Sequence, residues 1–254
     1  MKKSIILLTA FALFFVCWRK GLLIHLVSGW LPDSTSLYYL VSYSLCGILP
    51  LIALFMIHHK RDILYSLGLS KRILTGWGMS LCATLPMFIG FALLGSFYKD
   101  ISIDNLCYSI FIAGFFEELI YRGFVFGQLF RYAKWGFIPA VLISALPFGL
   151  LHIYQGHDLL SSLAAFGITA LGGVFFAWLY VEWNYNLWCS IGMHTLMNMS
   201  WILFKVSPGA VGDIGGNLIR ILTIVVAIML TVIYKKKNHF GWQVTSKTLW
   251  VKQS

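Results

Sequence analysis

Charge is what this sequence has least of. Of 254 residues only nine are acidic, and charged residues of both signs make up 11%, against a usual share of about 25% in a soluble domain. So few ionic groups cannot cover a water-soluble surface, and a mean hydropathy of +0.81 points to lipid as the solvent. Other absences narrow the chemistry. No CxxC pair occurs, and Cys17, Cys46, Cys82, Cys107 and Cys189 all fall in apolar stretches, so they read as packed thiols and not as a disulfide framework or a zinc cage. No serine stands in a GxSxG setting, no HExxH helix is present, and neither an internal repeat nor a low-complexity linker divides the chain. The net charge of +10 does not imply nucleic acid, because the Lys and Arg cluster between apolar runs.

Those runs are what is abundant. A spanning helix needs roughly 20 mostly apolar residues, and eight segments qualify: 4–29, 36–57, 73–98, 106–130, 136–154, 159–183, 187–206 and 218–234. The expected fold class is all-α, a polytopic transmembrane helix bundle of about eight spanning helices. It forms one domain over 1–254, with a polar core at about 106–206 and a short basic tail at 235–254. Lys2 and Lys3 before the first run resemble a secretory signal. No small-residue cleavage site follows, so the run is expected to stay as an anchor. With the N-terminus cytoplasmic, 13 of the 19 Lys and Arg residues, Lys252 among them, fall on the inner side. Both termini are therefore expected in the cytoplasm, with Arg19 and Lys20 dissenting, and Lys235 to Lys237 are expected to touch anionic lipid.

Ionisable groups inside such runs are costly, and each is a candidate for function. Glu117, Glu118 and Arg122 share one run. Glu118 and Arg122 are four apart on one helix face and suit an ion pair, whereas Glu117 points roughly 100° away and has no partner in its own segment. His152 lies in the fifth segment, and His194 and Asn198 share a face of the seventh. A carboxylate beside an imidazole in a water-poor cavity suits a general base, so Glu117 with His152 can deprotonate water. Donors from His194 and Asn198 can hold a developing oxyanion. The combination describes hydrolysis of a carbonyl compound, most simply a peptide bond. His58, His59, His157 and His239 lie in loops or the tail and are expected to be solvated. The glycine-rich stretch 207–216 reads as a flexible connection, and Gly172 and Gly173 as small residues for close helix packing or a lateral opening.

Three motifs carry a resemblance. EELIYRG at 117–123, SALPFGLLH at 144–152 through Phe148 and His152, and NLWCSIGMHTLMN at 186–198 through His194 and Asn198 resemble the EExxxR, FxxxH and HxxxN motifs of the CPBP family. These are the CAAX proteases and bacteriocin-processing enzymes, also called Abi. The resemblance implies a glutamate-dependent, metal-independent intramembrane endopeptidase of bacterial type. Glu117 and His152 would activate water, His194 and Asn198 would stabilise the oxyanion, and Glu118, Arg122 and Phe148 would support them. The implied partners are membrane lipids and a peptide or membrane-protein substrate, without nucleic acid and without a cofactor. Two alternatives stay open: a zinc hydrolase using one glutamate and two histidines, and a proton-coupled transporter or non-catalytic immunity protein. Nothing in the sequence sets the substrate or the oligomeric state.

Overall fold

A computed structural model describes residues 2–207 and 209–251, so Lys252 and its place on the inner side lie outside the described residues. The chain is helical throughout, with no strand among the described residues beyond a single bridge between Trp135 and Val251. In chain order the helices are α1 (Lys2–Arg19), α2 (Thr35–Ile57), α3 (Ile63–Leu67), α4 (Ile73–Leu94), α5 (103–132), α6 (Phe137–Leu150), α7 (Leu159–Glu182), α8 (Leu187–Leu203) and α9 (Ile214–Asn238).

Local chemistry sets these boundaries. Ser34 caps α2 by accepting from the Leu37 amide, and Asp158 closes a reciprocal capping box with Ser161 at the start of α7. Asn186 and Asp213 cap α8 and α9. Gly68 ends α3 with φ at +84°, a conformation that suits glycine, and a Cβ there would lie 2.2 Å from the Tyr185 carbonyl oxygen.

Among the described residues, five helices are long and apolar enough to cross a bilayer by length and composition: α2, α4, α7, α9 and α6 with the turn that extends it to Gln155. Three expected spans fall short of that measure for separate reasons. The first was expected to reach residue 29, but α1 stops at Arg19, where the Arg-Lys-Gly sequence breaks it and Gly21 turns left-handed, and the 18 residues that remain carry Lys2, Lys3 and Arg19. The seventh is cut to 17 residues, α8. The fourth, α5, is one continuous helical run, but most of it is wound as π-helix over Cys107–Ile112, Glu118–Phe126 and Gln128–Tyr132. The Gly127 amide, for example, donates five residues back to the Arg122 carbonyl. Wide turns of this kind are frequent at functional sites. This helix also lies at the centre: its side chains from Ile120 to Phe130 are buried, and it packs against α1, α2, α6, α7 and α8. Outward-facing Leu74, Leu93 and Leu163 are exposed, as lipid-facing residues are.

The end of the bundle that carries the C-terminal tail corrects the reading of the basic tail. Lys235 is buried and lies 2.6 Å from the carboxylate of Glu182, which is fully buried at the end of α7. The same carboxylate accepts the amides of Gln243 and Val244, while Thr248 and Leu249 carbonyls accept the amides of Phe137 and Ile138. The tail is thus folded across the ends of α6 and α7, and Lys235 serves that fold instead of a lipid headgroup. His58 is likewise not a solvated loop residue, because its Nε2 lies 2.6 Å from Oε1 of the buried Gln128.

At the opposite end, Asp104 begins α5 and ties it to α2. Its carboxylate accepts the Ser34 hydroxyl at 2.7 Å and the Thr35 amide at 2.6 Å, together with the hydroxyl and amide of Ser36. These bonds, that of the Ser36 hydroxyl foremost, lower the Asp104 pKa to about 2.

Two tests follow from these anchors. Removing one partner of a buried pair leaves an uncompensated charge at a cost of about 3–5 kcal/mol. Lys235→Ala should therefore lower the thermal unfolding temperature and open the tail to protease, whereas Lys235→Met with Glu182→Leu should recover most of the loss. For Asp104 the anion makes the bonds, so its contribution is present above the ordinary carboxylate value of about 3.9 and is lost as pH falls toward 2. Wild-type unfolding temperature should drop more steeply over that interval than that of Asp104→Ala, and parallel profiles would contradict the linkage.

Candidate active site

Helices α5, α6 and α8 send their polar side chains into one cavity of about 760 Å³, lined by Glu117, Phe148, His152, His194 and Asn198, with residues of α7 and α9 closing the far walls. All four residues expected to carry chemistry therefore share a single space. Glu118 and Arg122 sit behind it, almost without exposure.

Glu118 is the hub of the arrangement. Its Oε1 lies 3.1 Å from Arg122 Nη1 and accepts a hydrogen bond from His194 Nδ1 at 2.8 Å. A carboxylate can only accept, so the Nδ1 proton of His194 is fixed toward Glu118 and Nε2 faces the cavity. Arg122 places its guanidinium 4.4 Å over the Phe148 ring and 5.5 Å over that of Phe176. Aromatic faces attract a cation, and here they shield it from lipid. Gly173 of α7 makes room for this guanidinium and for Ala145 of α6, whereas its neighbour Gly172 lines the cavity, so the two glycines have different roles.

Glu117 turns away from that pair, as the helix geometry requires. Its Oε2 is 3.8 Å from His194 Nε2, and its Oε1 is 3.5 Å from the hydroxyl of Tyr43, a buried residue of α2 that sequence reasoning did not single out. The ion-pair contact of Glu117 with an imidazole is thus to His194, while His152, the expected partner, shares the cavity. His152 stands just beyond the end of α6, where its Nδ1 donates to the Phe148 carbonyl at 2.8 Å and its ring rests 4.7 Å from that of Phe148. Its Nε2 also stays available. Phe148 is therefore part of the cavity floor and the support for its two neighbours, Arg122 and His152. Asn198 donates one amide hydrogen to the Ser109 carbonyl at 2.9 Å and retains a second.

The described residues of the glycine-rich connection, 207 and 209–216, are more closely held than a flexible linker. Trp201 donates to the Ser207 carbonyl, and the Ala210 amide donates to Gln155 in the turn after α6. As for a metal, no group of three or more His, Cys, Asp or Glu side chains is arranged to hold one among the described residues.

Residues 100–200 match the profile of the family described as Rce1-like, type II CAAX prenyl endopeptidases, about two fifths of the chain. The candidate membrane peptidase YdiL of Bacillus subtilis strain 168 is 36% identical over 92 residues, which cover 36% of this chain. The match spans only 33% of that relative's own length. No solved structure matches the chain. Residues 100–200, the stretch that holds Glu117, His152, His194 and Asn198, are therefore similar in sequence to the Rce1-like CAAX prenyl endopeptidases.

Proposed function

We propose that this chain is an intramembrane endopeptidase that hydrolyses peptide bonds with water activated by Glu117. The observation that carries the reading is a carboxylate paired with no lysine or arginine among the described residues, held between Tyr43 and His194 in a cavity between apolar helices. Such a group has no inexpensive structural role in lipid. In the proposed reaction, water bonded to Glu117 and to His152 Nε2 gives its proton to Glu117 as its oxygen attacks the carbonyl carbon. The tetrahedral oxyanion takes hydrogen bonds from Asn198 Nδ2 and, in the doubly protonated ring, from His194 Nε2. Glu117 then returns the proton to the departing amine, so that one water is consumed and one acid and one amine are released.

Glu118 and Arg122 support the reading without touching substrate, by setting the tautomer and angle of the His194 ring. The named activity of the YdiL relative and the family profile point the same way. We place the chain in the plasma or inner membrane with both termini cytoplasmic. Its substrates would be membrane-associated or leader-type peptides, and no metal would be required.

Loss of the general base should lower the cleavage rate by about 10²–10⁴-fold in Glu117→Gln, with a comparable fall in His152→Ala, while Asn198→Ala should lose about 10²–10³-fold. Comparing membrane peptidomes of cells carrying wild-type protein and Glu117→Gln would identify the substrates on which purified protein is then assayed. Undiminished cleavage by a folded Glu117→Gln protein would overturn the mechanism. Activity that disappears with chelation and returns with zinc would replace it by the metal-dependent alternative.

A further inference from the structure

A second wall of the same cavity holds a cation with nothing to balance it. Arg220, in the second turn of α9, lines the cavity with its guanidinium carbon 4.2 Å over the Trp201 ring. Among the described residues it makes no ion pair and no hydrogen bond. The other cations drawn deep into the bundle are paired, Arg122 with Glu118 and Lys235 with Glu182. Arg220 stays charged at any cellular pH, and a fixed charge within a span is kept where it faces a cavity, a partner or the path of a substrate. Around it the wall is apolar, with Ile202, Ile221 and Ile224. The neighbouring Asn217 directs its amide to the Val211 carbonyl in the adjoining loop. Trp201, itself tied to the Ser207 carbonyl, holds the guanidinium plane in one orientation.

The geometry points to Arg220 as a specificity-determining residue that binds a carboxylate of the substrate, which makes the substrate class an apolar peptide carrying a free carboxylate away from the scissile bond. This rests on the endopeptidase reading for its meaning, although binding can be measured without cleavage. A lone guanidinium matches a carboxylate with two parallel hydrogen bonds. A phosphodiester headgroup presents two charged oxygens as well, so the carboxylate is chosen because Arg220 lines the same cavity as Glu117 and His194, where the peptide would lie. The carboxylate can be the peptide's C-terminus or an acidic side chain, since both present the same two oxygens.

Binding of three fluorescently labelled pools of degenerate decapeptides built from Ala, Val, Leu, Phe and Ser distinguishes these cases. One pool ends in a free carboxylate, one is amidated, and one is amidated with a single Glu at mixed positions. Anisotropy is read on detergent-solubilised full-length Glu117→Gln protein. At least one carboxylate-bearing pool should bind on the order of tenfold tighter than the neutral pool, and the pool that gains identifies the carboxylate's source. Adding Arg220→Gln should erase the difference, and Arg220→Lys should keep part of it. Equal binding of all pools, or a preference that survives Arg220→Gln in a folded protein, overturns the proposal. So does Arg220-dependent binding of phosphatidylglycerol vesicles without any preference among peptides, which would assign the residue to lipid. The outcome is independent of the mechanism: cleavage retained in Glu117→Gln would sink the glutamate chemistry and leave the binding preference standing.

Discussion

An ionised group held among lipid-immersed helices must find its counter-charge inside the protein, and here one carboxylate oxygen meets that demand for two helices. Glu118 Oε1 is shared between Arg122, one helical turn along α5, and His194 on α8. The pair is buried almost completely, and Phe148 and Phe176 cover the guanidinium. Because a buried carboxylate is stable only while both contacts persist, the packing of α5 against α8 and the orientation of the His194 ring are one constraint. Glu117, one residue earlier, is thereby turned into the cavity, where its neighbours are Tyr43 and His194. The support of the site and its proposed reactivity come from two adjacent residues with opposite surroundings.

The same logic is repeated at the end of the bundle that carries the C-terminal tail. Glu182 accepts Lys235 and two backbone amides of the tail, which closes the ends of α6 and α7. At the other end Asp104 gathers the start of α2. Carboxylates are few in this chain, and three of them act as clasps between elements distant in sequence. Such an economy fits a protein whose helix surfaces face lipid and have little apolar driving force for association.

What was legible in the sequence is what depends on one helix at a time. The four-residue spacing of Glu118 and Arg122, the outward turn of Glu117 and the shared face of His194 and Asn198 all follow from helical periodicity, and the structure places Glu117, His152, His194 and Asn198 around one cavity. What was not legible depends on how helices rotate against each other. Periodicity fixes the face of Glu117 but not which imidazole that face meets, so His194 as the contact of Glu117, and Tyr43 as its second neighbour, needed the bundle. Lys235 reads as a lipid-facing lysine because the run of three lysines conceals that one of them meets Glu182, a residue at the far end of another helix. The first span was overestimated because hydropathy averages over Arg19 and Lys20, whereas the backbone breaks there. Nothing in the sequence singles out Arg220, and only the cavity gives it a role.

The central claim is that Glu118 joins stability to catalytic geometry, and a double-mutant comparison of Glu118 and Arg122 by thermal unfolding tests it directly. Arg122→Met alone should destabilise by about 3–5 kcal/mol because it strands a buried carboxylate, and adding Glu118→Gln should restore most of that loss while leaving His194 without its fixed partner. An Arg122→Met protein as stable as wild type, or a double variant with losses equal to the sum of the two singles, would contradict the account.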